Sequence, residues 1–303
     1  MKNTYKIYQI DSFSDRKFFG NPAGVVYKAD GLEEADMQRI ARELNNSETA
    51  FIFLSDSDEY DVHIRFFTPL KEVPICGHAT IAAHYVIALE NNFKEKTCIK
   101  QKTGAGILPV EIEPIENNTY NIIMTQGKVE FGDIIDGKNL DRLVSALGID
   151  NDDLITEAPV QIVSTGHSKV MIGIKDYKQL HNLRPDMKEL NELSRIINCN
   201  GYFVFSFDSD EKDILLKGRM FAPAIGIDED PVTGNANGPV GAYIVKYKLA
   251  EFGDDNFKFS AKQGISIGRE GTINVNVNIE NGEPVKVQVS GTATVVFKTE
   301  IEL

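Results

Sequence analysis

Cysteine is scarce in this 303-residue chain: Cys76, Cys98 and Cys199 are odd in number and form no C-x-x-C pair. That excludes a disulfide framework and a zinc knuckle, and it suits a reducing cytoplasm. No apolar run reaches the ~18 residues that span a bilayer, and the opening Met-Lys-Asn-Thr-Tyr passes directly into strand-like alternation instead of an apolar signal core. The expected location is therefore the cytoplasm, where the sequons at Asn45 and Asn117 have no consequence. Positive charge is short as well: 32 Lys plus Arg face 45 Asp plus Glu, a net charge of -13, and no local basic stripe offsets it. Nucleic-acid and membrane-surface roles are not expected on that ground.

Cofactor motifs are missing too. No G-x-x-x-x-G-K-[ST] occurs, and Gly104-Ala105-Gly106 lacks the third glycine and following helix of a dinucleotide fingerprint. His63, His78, His84, His167 and His181 show no H-E-x-x-H or ligand-like pairing, so neither a cofactor nor a metal is expected. Gly264-Ile265-Ser266-Ile267-Gly268 fits G-x-S-x-G, but a nucleophile elbow needs a helix after the serine, and here a strand pattern follows.

What is present is an ordinary globular composition, 42% hydrophobic and 25% charged, in a chain long enough for two domains. Ile273, Val275, Val277 and Ile279 alternate with asparagines, Asn281-Gly282 supplies a two-residue turn, and Val285, Val287 and Val289 return: a hairpin. A strand through Val295–Phe297 follows, and others are predicted near Lys6–Phe13, Thr49–Leu54, Val62–Phe67, Tyr120–Met124, Lys169–Ile174 and Gly201–Phe207. Amphipathic surface helices are predicted around Met37–Leu44, Leu140–Leu147 and Leu190–Ile197. Ala79–Leu89 and Ala236–Val245 differ, being small and apolar almost all round, so each must be enclosed by other structure.

Around these two helices the sequence repeats. Arg65-Phe66-Phe67-Thr68-Pro69, then Pro74-Ile75-Cys76-Gly77-His78-Ala79, is echoed by Arg219-Met220-Phe221-Ala222-Pro223, then Pro231-Val232-Thr233-Gly234-Asn235-Ala236, with a loop three residues longer. Each copy reads strand, proline-bounded loop, glycine, buried helix. A glycine at a helix entrance exposes backbone N–H groups that carry the positive end of the helix dipole. Two such entrances facing one interdomain cleft would cradle a small carboxylate without any cluster of Lys or Arg.

Gly20-Asn21-Pro22-Ala23-Gly24-Val25-Val26, Ser47-Glu48-Thr49-Ala50-Phe51, Cys76-Gly77-His78-Ala79-Thr80 and Asp230-Pro231-Val232-Thr233-Gly234 together resemble, in order and over almost the whole chain, the phenazine-biosynthesis (PhzF-like) family of isomerases. The resemblance implies an α+β, diaminopimelate-epimerase-like fold: two pseudo-symmetric domains, each a curved, mostly antiparallel sheet wrapped around a central helix. It also implies a homodimer, no cofactor and a site between the domains. The expected division is 1–126 and 127–303, with a strand from 293–303 as the candidate to complete the first domain.

Carried over by position, the resemblance makes Glu48 the acid/base carboxylate, His78 the helix-entrance histidine and Asp230 the acid of the second half. Cys76, Gly77, Gly234, Asn235 and Asn21 are then substrate-binding. By default Glu48 is a solvated loop residue, His78 a capping group and Asp230 a turn-former. Beside an apolar strand and out of water, Glu48 would have its pKa raised towards neutrality, as proton exchange near pH 7 requires. Asn235 departs from the family's common serine and can hydrogen-bond a substrate but does not readily relay a proton. Gln263-Gly264 and Gly268-Arg269 resemble a family loop in which the arginine is commonly followed by Pro-Ser, and Glu270 and Gly271 depart from it.

The expected function is a cofactor-independent isomerase of a small carboxylate-bearing metabolite. Related epimerases use a thiol from each half, but Thr233 stands where a partner for Cys76 would be, which favours one-base transfer by Glu48. The alternatives are an amino-acid or hydroxy-acid racemase, with Cys76 and Asp230 as an asymmetric pair, and a non-catalytic binding protein.

Overall fold

The computed structural model describes residues 3–116 and 119–303; the sequon at Asn117 lies outside them. The described residues form an α+β fold with six helices. They divide into a first unit that ends at Thr125 and takes in Ser290–Leu303, and a second unit, Gln126–Val289.

In the first unit, Ala293–Glu302 pairs antiparallel with Thr4–Ser12, which pairs antiparallel with Asn21–Tyr27. That strand lies parallel to Thr49–Leu54, which is antiparallel to Val62–Phe67; Val62–Phe67 then runs parallel to Thr97–Thr103. Two antiparallel steps, through Gly106–Ile115 to Thr119–Thr125, complete the sheet. Packed on it is the helix Gly77–Asn91, buried without interruption from His78 to Ala88. Its alanines on every face let strands approach from all sides, so this helix is the core of the unit and has no solvent stripe.

The second unit repeats that scheme. Gln161–Ser164 is antiparallel to Lys169–Gly173, which is parallel to Tyr202–Ser206; Tyr202–Ser206 is antiparallel to Leu216–Ala222, which is parallel to Asn256–Gln263, and Gly271–Glu280 follows antiparallel. Glu130–Ile134 adds at the free side of Gln161–Ser164. The helix Gly234–Tyr247 is the central one, buried from Ala236 to Val245 against strands of this unit. The strands Gly271–Glu280 and Glu283–Gly291 are joined by Asn281 and Gly282, both at positive φ (53° and 79°), the geometry of a tight hairpin turn.

The amphipathic helices fall where their periodicity predicts, at Glu34–Leu44, Gly137–Leu147 and Met187–Ile197. Leu143, Leu147, Leu190 and Leu193 share one core with Val170 and Val204, while Met37 and Ala41 pack with Phe51 and Phe67. A sixth helix, Tyr177–Asn182, is too short to show a period.

The duplication extends into side-chain geometry. Arg65 grips Glu72 through two hydrogen bonds of 2.7 Å, and Arg219 grips Glu229 at 2.9 and 2.6 Å. The arginine side chains stack on Phe67 and Phe221, at 5.2 and 4.9 Å. Each pair pins the return strand, Glu72–Val73 or Ile227–Asp230, that delivers the chain to a central helix.

Candidate active site

The entrances of the two central helices are built alike. Cys76 and Thr233 are the N-cap residues, both in extended backbone and neither giving a side-chain cap, and no acidic residue occupies either first turn. By contrast, Asp176 and Asp186 cap the surface helices that follow them. The uncapped helices starting at Glu34 and Gly137 open to water. At the fourth position past each entrance N-cap, a side chain turns back: Thr80 Oγ1 donates to the Cys76 carbonyl at 2.7 Å and Asn237 Nδ2 to the Thr233 carbonyl at 3.0 Å. That fixes the turn while leaving the first N–H groups directed outward. A Cβ on Gly77 would meet nothing within 4 Å among the described residues, so its backbone borders open space there.

Above Gly77 the first unit gathers three of the expected residues. His78 is 7% exposed, and both ring nitrogens have neighbours. Nε2 lies 3.5 Å from Glu48 Oε2 and 3.2 Å from Ser47 Oγ, while Nδ1 lies 3.4 Å from Cys76 Sγ. Glu48 comes from the loop before Thr49–Leu54, and its carbonyl accepts from Gly24 N at 3.2 Å, tying it to the Asn21–Tyr27 strand. Asn21 is 1% exposed and stands opposite Ser12, whose hydroxyl donates to the His78 carbonyl at 2.8 Å. Its place is one residue removed from the entrance.

The second entrance gathers Asp230, Thr233, Gly234 and Asn235. Asp230 is buried, and the Thr233 hydroxyl donates to its carboxylate. Gln263 clamps this loop: its amide donates to the Asp230 carbonyl at 2.7 Å and to Thr233 Oγ1 at 3.0 Å, and its oxygen accepts from Thr233 N and from Asn237 Nδ2. Gln126 supports the helix itself, donating to the Gly234 carbonyl at 2.8 Å and accepting from Thr165.

Gln126, far from the motif it serves, escaped sequence reasoning, and the likeness of Gln263-Gly264 to a family loop gave neither residue a role. Gly264 has φ 83°, and a Cβ there would lie 2.8 Å from the Pro231 carbonyl oxygen; Gly104 would similarly meet Pro74 at 2.8 Å. These glycines are matched contacts beneath the two entrance loops. Ser266 sits on a single 3-10 turn, Ile265–Ile267, with its hydroxyl 3.1 Å from the ring Nδ1 and from the carbonyl oxygen of His181. Lys169 is the odd residue in the otherwise apolar, buried strand Lys169–Gly173. Burial pushes its pKa down, against the opposing pull of Cys199 and Asp230, and it donates to the Ser168 carbonyl at 3.0 Å.

Residues 10–299 match the model of the phenazine biosynthesis-like protein family. This chain belongs to the PhzF-like family. An uncharacterized isomerase of Clostridium acetobutylicum is 60% identical over the full length of both proteins. The trans-2,3-dihydro-3-hydroxyanthranilate isomerase of Pseudomonas chlororaphis is 30% identical over 93% of this chain and 94% of that protein. A crystal structure of a PhzF-family phenazine biosynthesis protein from Bacillus anthracis superposes with a TM-score of 0.88 at 31% identity, covering 99% of each chain. Like its named relatives, this PhzF-like protein is an isomerase, with the diaminopimelate-epimerase-like fold. No helix among its described residues is long and apolar enough to cross a membrane.

Proposed function

We propose that this protein is a cofactor-independent isomerase in which Glu48 alone takes a proton from carbon and returns it at another position of a small carboxylate-bearing metabolite. The observation that carries the reading is Glu48 Oε2 held 3.5 Å from the buried imidazole of His78 at an uncapped helix start. A carboxylate needs an orienting partner to act as base and then as acid without leaving its place, and His78 with Ser47 supplies one. Removing a proton from carbon leaves an anion, and the backbone N–H groups at Gly77 and His78 are preorganised donors for it. One base serving both half-reactions needs no thiol pair, consistent with Thr233 in the matched position.

Asp230 and Asn235 are proposed as polar groups for the substrate, with Gly234 as a second anion-binding backbone. Asp230 is held by Thr233 and Gln263, which makes it an orienting group, whereas Asn235 offers a donor and an acceptor. The protein is proposed to act as a cytoplasmic homodimer, which sedimentation velocity would test for its assembly state.

The test is incubation of trans-2,3-dihydro-3-hydroxyanthranilate and related cyclic and open-chain carboxylic acids in deuterated water, followed by NMR. Site-specific deuterium uptake with movement of a double bond, lost by a factor of at least ~10² in Glu48→Gln, is expected. Uptake that survives in Glu48→Gln removes Glu48 from the mechanism. A second reading is favoured by one contact: Cys76 Sγ, at a helix N-cap, lies 3.4 Å from His78 Nδ1 and could serve as base in a racemase. Inversion at a stereocentre without rearrangement, abolished in Cys76→Ser, would select that reading.

A further inference from the structure

Folding assembles a donor set that linear spacing hides. Glu48, Cys76 and His78 each bring one ligand atom within 4.8 Å of the other two, and no other group of three or more His, Cys, Asp or Glu donors does so among the described residues. We propose that these three side chains form a binding site for a zinc-class divalent cation, and that occupancy reversibly shuts off proton transfer. The inhibitory half rests on the acid/base role of Glu48 proposed above; the binding half does not.

Ligand chemistry selects the metal class. One thiol, one imidazole and one carboxylate match zinc, whereas magnesium and calcium demand shells of oxygen. Tetrahedral bonds of about 2.0–2.3 Å imply ligand–ligand edges of roughly 3.3–3.7 Å. The Sγ–Nδ1 and Oε2–Nε2 separations, 3.4 and 3.5 Å, already have that length, although they involve different ring nitrogens. One nitrogen binds the metal, and closing the longest edge from its 4.8 Å limit needs a shift of about 1 Å by a side chain.

Charge is the obvious objection, because Gly77 starts a helix whose positive end repels a cation. Thiolate and carboxylate together carry two negative charges, so a divalent ion with neutral imidazole leaves the site uncharged. Three protein ligands leave the fourth tetrahedral position to water or an anion.

The balance of the step is simple. The Cys76 thiol loses its proton to solvent, a metal–sulfur bond replaces it, and affinity rises with pH until the thiol is fully ionised. Glu48 then places its lone pair on the metal and cannot accept a proton from carbon. Removal of the ion by a chelator restores the free carboxylate.

The experiment is titration of chelator-stripped protein with cobalt(II), read by sulfur-to-cobalt charge-transfer absorption, with zinc as competitor. One equivalent of cobalt should develop the band and zinc should bleach it. Cys76→Ser should abolish it, while His78→Gln and Glu48→Gln should each weaken affinity by more than about tenfold, since even outer-shell partners matter by that much. Cys98 is exposed, and Cys98→Ser should leave the band intact. No band at one equivalent, or a band that persists in Cys76→Ser or vanishes in Cys98→Ser, overturns the site. Deuterium uptake measured with and without zinc separates the two claims. Loss of uptake at one equivalent supports the inhibition, whereas stoichiometric binding with uptake unchanged overturns the inhibition and leaves the metal site standing; the acid/base role of Glu48 is overturned separately, by uptake that survives in metal-free Glu48→Gln.

Discussion

His84 should give this protein a pH-dependent stability that a single substitution removes. It lies within the Gly77–Asn91 helix with no exposed surface, and its ring nitrogen Nδ1 donates to the Thr80 carbonyl at 3.0 Å, while Nε2 has no hydrogen-bond partner among the described residues. Burial pushes its pKa down from 6.5 to about 4, against the opposing pull of the Thr80 hydrogen bond. The unfolded chain therefore takes up a proton near pH 6.5 that the folded chain refuses until about pH 4. The stability contributed by neutral His84 is complete above pH 6.5 and is lost as the pH falls to about 4. At about 1.4 kcal/mol per pK unit, the swing is about 3 kcal/mol, most of it spent by pH 4.5. Urea unfolding followed by circular dichroism, at intervals from pH 7.5 to 4.5, measures it in the parent and in His84→Leu. Leucine cannot titrate, and the other ionisable groups are common to both proteins, so the difference between the two curves isolates His84. The mutant should gain on the parent by about 2–3 kcal/mol across that range. Parallel curves would refute the buried, neutral assignment.

Other substitutions test the duplicated architecture. Arg219→Met should cost about 3–5 kcal/mol in urea unfolding, because it strands the nearly buried Glu229 and takes the guanidinium donor from the Leu183 carbonyl. Arg65→Met, at the matched but more exposed pair, should cost about 1 kcal/mol, and equal losses would contradict the burial argument. Gly238→Ala would put a Cβ 1.7 Å from Gln126 Oε1, so it should destabilise by about 1–3 kcal/mol, with Gln126→Ala in the same chain recovering part of the loss. Additive losses in the double variant would show that the clash is relieved elsewhere.

The two central helices were legible because small apolar residues on every face allow no solvent side. The hairpin at Asn281-Gly282 was legible because both residues tolerate positive φ. The parallel partners Thr97–Thr103 and Asn256–Gln263 were not, because polar Gln101, Thr103 and Gln263 occupy buried positions of their alternation and the pairing is made across an intervening helix. At the candidate site, the resemblance supplied Glu48 and His78 one at a time. Their approach to Cys76 depends on a loop and a helix entrance meeting in space, which no local period encodes. Lys169 was hidden for the opposite reason, since a lysine at the edge of an apolar strand reads as its solvent end until Gly201 makes room for it: a Cβ there would lie 2.3 Å from Lys169 Cδ.

Pairing of Ala293–Glu302 with Thr4–Ser12 has a consequence for synthesis. Thr4–Ser12 has to wait for Ala293–Glu302, so the first unit keeps an open sheet edge while the whole of the second unit, Gln126–Val289, is made. The second unit is contiguous in sequence and lacks this delay. The second unit ends at Val289, directly before that closing strand, so the two units should reach completion almost together instead of in the usual amino-to-carboxyl order.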